Sequence, residues 1–211
     1  VTCFISCSTK EIKVAIVGDS ITEGYGLSNQ SRNAYPVMVD SILGSNYSVL
    51  NCGRSSTTVQ KTGDVPYWKC SEFYNVFAYK PDIIVIKLGT NDVRPRMDGK
   101  PGTNWNDVDF SKDYQALIDT FKTINTKPKI FLCLPTPIYE NIFNWNDGDS
   151  SLRASVDPAI KILAEVNNLP LIDLYTQMSN QPEKFLDGIH PNEKGSRIMA
   201  EFIAKSINGN K

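Results

Sequence analysis

Histidine is almost missing from this chain: among 211 residues only His190 carries an imidazole, so any chemistry that needs one must use it. An excess of either charge is missing as well. Twenty-two basic residues stand against twenty-three acidic ones, for a formal net charge of -1, and the basic residues gather into no cluster or arm. The electrostatic footprint of a nucleic-acid binder is therefore absent, and the expected ligand is small or weakly charged. No apolar run approaches the length needed to cross a bilayer, which excludes a membrane-spanning segment within this sequence. The five cysteines, Cys3, Cys7, Cys52, Cys70 and Cys133, contain no CxxC pair, so the spacing that announces a structural zinc site is lacking. Repeats, low-complexity tracts and linkers are lacking too. A chain of this length buries one substantial core and is short for two, so a single domain spanning residues 1–211 is expected.

An odd cysteine count leaves at least one thiol unpaired within a monomer. Cys52 and Cys133 lie in apolar, strand-like surroundings and read as small core residues. Cys3, Cys7 and Cys70 have the option of pairing only if the protein is exported. The opening "VTCFISCSTK" resembles the tail of a signal peptide or the remnant of a lipoprotein-type processing site, although its apolar part is too short for a complete signal core. Residues 1–10 are thus a candidate processed extension, and export is the favoured compartment.

What is present is an alternation. Five β-rich runs, Ile12 to Val17, Tyr47 to Asn51, Ile83 to Leu88, Lys129 to Leu134 and Leu169 to Leu174, are separated by stretches long enough for helices. That pattern predicts an α/β fold with a parallel sheet covered on both faces. The run "DIIVIKL" is nearly continuous in apolar residues, as a central strand buried on both sides must be. Helices are predicted over Tyr35 to Leu43, Phe110 to Ile124, Leu152 to Val166 and Glu193 to Ile207, each with an apolar stripe toward the sheet. Two stretches lack periodicity: "GRSSTTVQKTGDVPYWKCSEF" after the second strand and "VRPRMDGKPGTNWNDVD" after the third. Long loops at the carboxyl ends of parallel strands are where such sheets bind ligands.

Those carboxyl ends hold the chemistry. "VAIVGDSITEGYG", Val14 to Gly26, places Ser20 after the first strand, where it is either a helix cap or a nucleophile. Gly53 follows the second strand, Gly89-Thr90-Asn91-Asp92 the third, and Asp187-Gly188-Ile189-His190-Pro191 precedes the last helix. Each has a plain alternative as a turn or a cap. Asp187, three residues ahead of the lone histidine, is placed to orient its ring through one nitrogen while the other faces Ser20, the logic of a serine hydrolase. The backbone N–H groups of Ser20 and Gly53 and the amide of Asn91 are donors of the type a developing oxyanion needs.

Taken in order, these four blocks resemble those of the SGNH (GDSL-like) hydrolase family over almost the whole chain. The resemblance implies a three-layer α/β/α sandwich, flavodoxin-like, with a five-stranded parallel sheet. It implies Ser20 as nucleophile, His190 as base, Asp187 as its partner, and Ser20, Gly53 and Asn91 as the oxyanion hole. That chemistry calls for no metal and no cofactor. One departure stands out: where members commonly carry a Gly-x-Ser-Gly-x-Thr-like stretch, this chain has Gly53-Arg54-Ser55-Ser56-Thr57-Thr58. The G-x-S-x-G elbow of α/β-hydrolases is absent, Thr22 standing at its last position.

The segments "VGDSITEGYGL" and "KLGTNDVRP" are similar to those of members acting on acetylated sugars, sialate O-acetylesterase-like proteins among them. The expectation is a serine esterase that removes small acyl groups, acetyl foremost, from carbohydrate hydroxyls, with Asp19, Arg54 and Trp105 as candidate substrate contacts. Arg94, Arg96 and the pair Tyr67-Trp68 are further candidates for the mouth of the site, although a loop Trp is as often a packing anchor. Three alternatives stay open: a lysophospholipase or thioesterase, a magnesium-dependent phosphoryl-transfer enzyme using Asp19 and Asp92, and a non-catalytic sugar-binding module.

Overall fold

The computed structural model describes residues 10–209, apart from Pro101, Asn141, Asn144 and Asn146. Cys3, Cys7 and the candidate processed extension up to Thr9 lie outside the described residues. Five parallel strands form one sheet, β1 (Ile12–Gly18), β2 (Tyr47–Gly53), β3 (Ile83–Lys87), β4 (Lys129–Leu134) and β5 (Leu171–Asp173), in the order β2-β1-β3-β4-β5. The helices are α1 (Ser20–Glu23), α2 (Gln30–Asn33), α3 (Tyr35–Leu43), α4 (Ser71–Tyr79), α5 (Asp107–Lys122), α6 (Gly148–Ser151), α7 (Asp157–Val166), α8 (Leu174–Met178) and α9 (Glu193–Gly209). Right-handed crossovers put helices that step in opposite directions on opposite faces. Hence α3, which leads from β1 out to β2, packs with α9 on one face, while α4, α5 and α7 cover the other. The fold is the expected three-layer α/β/α sandwich.

The core follows from the strand sequences. Val14, Ala15, Ile16 and Val17 of β1 and Ile84, Val85 and Ile86 of β3 are wholly buried, as the middle strands of a doubly covered sheet require. On the helices the stripe of α5, Phe110, Tyr114, Leu117, Ile118 and Phe121, is buried at helical spacing. That helix starts three residues earlier than its apolar pattern, because the Asn106 side chain accepts the Asp109 N–H at 3.0 Å and caps it. β5 is shorter than its apolar run. Asn168 is in the left-handed region (φ 51°), Pro170 brings no N–H, and Asp173 turns to cap α8 by accepting the Thr176 N–H at 2.8 Å.

Two segments differ from the sequence pattern. α4 falls in a stretch without periodicity because six of its nine residues, Phe73, Tyr74, Val76, Phe77, Ala78 and Tyr79, are apolar or aromatic and blur any stripe. The predicted helix from Leu152 is instead a π-helical turn over Leu152–Val156 running into α7. Pro158 lacks the N–H that a regular helix there would use, and the Asp157 N–H reaches the carbonyl of Leu152.

The strand order reverses beside β1, between its neighbours β2 and β3. Ser20 follows the first of these three strands and Asn91 the last, so both stand at the switch point where such sheets open a crevice. Among the described residues no helix is long and apolar enough to cross a membrane.

Candidate active site

At the end of β1 the cap of α1 is Asp19, not Ser20. Its Oδ1 accepts the Ile21 N–H at 3.0 Å, so the Ser20 hydroxyl is not spent on capping. Ser20 Oγ lies 2.9 Å from Nε2 of His190. The turn is fastened from below by Lys87, whose wholly buried ammonium donates to both oxygens of Asp19, at 3.3 and 3.1 Å, and to Thr90 Oγ1 at 3.1 Å. All three ammonium donors are thereby engaged.

His190 is held by its own neighbours. Asp187 Oδ1 accepts the N–H groups of Ile189 and His190, at 3.0 and 2.8 Å, and this tight turn, with Gly188 at φ 86°, brings the two side chains together. Asp187 Oδ2 then sits 2.7 Å from Nδ1 of the ring. Burial pushes the Asp187 carboxyl up, but the hydrogen bonds from His190 and Ile189 outweigh it and hold the group below the usual carboxylate range. An ionised Asp187 accepts a hydrogen bond from Nδ1–H, which keeps that proton on the ring and leaves the Nε2 lone pair facing the serine hydroxyl. The ring of Tyr25 lies 4.6 Å from the imidazole, centre to centre, and that of Phe143 lies 6.3 Å from it.

Two loops bring candidate oxyanion donors to the cavity that Ser20 lines. Asn91, in a 3-10 turn after β3, gives one Nδ2 hydrogen to the Thr57 carbonyl at 3.1 Å. Its Oδ1 accepts from Arg94 Nε at 3.2 Å, which fixes the amide's orientation and leaves its second N–H without an acceptor among the described residues. Gly53 does not serve in the same way. Its N–H donates to Asn51 Oδ1 at 2.9 Å, and a Cβ there would stand 2.2 Å from the Glu23 nitrogen. The glycine is required by the close approach of β2 to α1. Three residues on, Ser56 lines the cavity with φ 67°, in the left-handed region that glycine favours, and its N–H carries no hydrogen bond among the described residues.

Beneath this loop, Asp92 accepts the N–H groups of Val59 and Gln60 and the Gln60 side-chain amide. Burial pushes its carboxyl up to about 7. Asp19 and Asp92 are both wholly enclosed and given over to protein donors, so neither offers oxygens to the cavity for a hard cation. Above Ser20 lies a cavity of 370 Å³, walled by Ser55, Ser56, Asn91 and His190 on its polar side and by Tyr25, Met97, Phe143, Trp145 and Ile189 on its apolar side.

Residues 16–198 match the profile of the GDSL-like Lipase/Acylhydrolase family. The chain belongs to this family. As a GDSL-like chain it is 35% identical to an acetylxylan esterase of Xylanibacter ruminicola over 93% of its own length, but it spans only 43% of that relative. To an acetylxylan esterase of Geobacillus stearothermophilus it is 27% identical, over 92% of this chain and 93% of that one. Among solved structures, the acetyl xylan esterase AlAXEase superposes with a TM-score of 0.69 at 26% identity, covering 93% of this chain and all of that one.

Within this GDSL-like fold the expected substrate contacts need correction. Asp19 is buried under the turn, Arg54 is exposed and tied through its backbone, its N–H to Gly18 and its carbonyl to Thr57, and neither lines the cavity. Trp105 is a packing anchor: its ring lies on Phe110 at 4.7 Å and its Nε1 donates to Asp107 at 2.5 Å. Tyr67 and Trp68 likewise turn inward, donating to the carbonyls of Cys52 and Val59. Arg94 and Arg96 do reach the cavity wall. Tyr25, Phe143 and Trp145 also line the cavity without any motif to mark them in the sequence, although Tyr25 stands shortly after Ser20 and the other two follow β4 at the same edge of the sheet. Ser56 is a further residue of the cavity outside those expectations, and its signal in the sequence is the departure at Gly53-Arg54-Ser55-Ser56-Thr57-Thr58.

Proposed function

We propose that this protein is a serine esterase that removes small acyl groups, acetyl foremost, from carbohydrate hydroxyls through an acyl-enzyme intermediate. The observation that carries the reading is the run from Ser20 Oγ through His190 to Asp187, with links of 2.9 and 2.7 Å, opening onto the cavity. His190 Nε2 takes the hydroxyl proton as Ser20 Oγ attacks the ester carbonyl, and Asp187 supports the imidazolium that forms. The N–H groups of Ser20 and Ser56 and the second Nδ2 hydrogen of Asn91 receive the oxyanion. Collapse expels the sugar hydroxyl, which takes the proton from His190, and water repeats the cycle to release the acid.

An acetylated xylan is the substrate favoured by the similarity to acetylxylan esterases, and aromatic rings around the cavity suit the faces of sugar residues. A polymer of that kind is met outside the cell, so the same reading carries export with it. The test is a panel of acetylated xylo-oligosaccharides set beside p-nitrophenyl esters of increasing chain length. Turnover is expected to be greatest with acetylated sugars and to fall with acyl length. Preference for long acyl chains would instead favour a lysophospholipase or thioesterase.

A further inference from the structure

We infer that Arg94, clamped by Asp64, is a positioning residue that holds both loops of the oxyanion hole in register; this rests on the esterase reading above. The guanidinium reaches every part of that hole except Ser20. Its Nε donates to Asn91 Oδ1 at 3.2 Å, and one Nη2 hydrogen to the carbonyl of Ser56 at 3.3 Å. The other Nη2 hydrogen and one on Nη1 form a bidentate pair with Asp64, at 2.8 and 2.9 Å, and the last Nη1 hydrogen goes to the Pro95 carbonyl at 2.8 Å. A guanidinium has five N–H donors. All five are committed to the protein, so although Arg94 forms part of the cavity wall it keeps no hydrogen to give a substrate.

The partners show what is being fixed. Ser56 and Asp64 belong to the loop after β2, Asn91 and Pro95 to the segment after β3, and Arg94 is the cross-link between them. Asp64 is itself built in: it also accepts the Met97 N–H at 2.6 Å and an Asn104 amide hydrogen at 3.2 Å. Burial pushes its carboxyl up, yet the bonds from Arg94, Met97 and Asn104 outweigh it and keep it ionised below the usual range. Only a rigid fork spans these acceptors at once. A lysine in its place keeps the charge beside Asp64 but loses the bonds to Asn91 and Ser56.

The experiment compares Arg94→Lys, Asn91→Ala and the double variant, with Ser20→Ala as reference, by steady-state hydrolysis of p-nitrophenyl acetate and by thermal melting. Arg94→Lys is expected to lower kcat about 10²-fold, the scale of a donor misplaced by an ångström, with KM within about threefold. In the Asn91→Ala background the same substitution should cost several-fold less, because the group it orients is gone. A KM rise with kcat intact would make Arg94 a substrate contact and overturn the inference. So would full multiplicative losses in the double variant, or a lowered melting point with unchanged kcat. If Arg94→Lys does not fold, Arg94→Met paired with Asp64→Leu removes both charges together and is read by the same kcat and KM criteria. Retained hydrolysis in Ser20→Ala would sink the esterase reading itself, a result separate from all of these.

Discussion

Asn91 answers to two demands that a substitution can separate. As an oxyanion donor, its second N–H gains strength only when the carbonyl becomes tetrahedral, so Asn91→Ala should lower kcat by about 10²–10³-fold, or about 2.7–4 kcal/mol of barrier, with little change in KM. Asn91→Asp should be at least as harmful, because it sets a negative charge where another is forming. A residue that merely shaped the turn would tolerate Asp well, so near-normal turnover in Asn91→Asp would contradict the role. Ser56 and Gly53 form a second pair. Ser56→Gly should keep kcat and raise the melting point slightly, since the left-handed backbone at φ 67° costs a serine about 1 kcal/mol. Gly53→Ala should instead destabilise the fold, because its new methyl group meets the Glu23 nitrogen. Melting curves beside kcat for the two variants tell them apart.

The turn from β1 into α1 is the element on which the nucleophile depends, and it stands on the buried pair of Lys87 and Asp19. Lys87→Met leaves the Asp19 carboxylate enclosed without its cation, and such a loss costs about 3–5 kcal/mol, readable by urea unfolding. Elements of this kind were legible in the sequence to different degrees. β1 and β3 were plain, since strands covered on both faces must be apolar throughout, and α5 was plain from its stripe. α4 was not, because aromatic residues on its exposed side, such as Tyr74, hide its buried face. Ser20, Asn91, Asp187 and His190 were singled out because each follows a strand or precedes a helix in a short motif. The clamp of Arg94 on Asp64 was not, as its partners lie 30 residues apart and only the fold of two irregular loops joins them. Trp105 misled for the opposite reason: an aromatic residue on a loop looks like a binding group until its packing against Phe110 is seen.

For the molecule as a whole, buried carboxyls set the dependence of stability on pH. Burial raises Asp92 to about 7 and Asp157 to about 6, both above the ordinary 3.8. A carboxyl raised on folding binds its proton more tightly in the folded state, so the stability it lends is complete below 3.8 and is lost as pH rises through those two values. Asp64 and Asp187 run the other way, being lowered, and their contribution fades as pH falls through the acid range. Unfolding free energy should therefore peak on the acid side of neutrality, and Asp92→Asn should flatten the decline toward pH 7. A rise in stability through that window would contradict the assignment. The central claim, that Ser20 is the nucleophile of an esterase, is tested most directly by intact-protein mass spectrometry after treatment with a fluorophosphonate, followed by peptide mapping. A single adduct on Ser20, formed in step with loss of hydrolysis and absent from Ser20→Ala, is the expected result; an adduct on another residue, or hydrolysis that survives in Ser20→Ala, would contradict it.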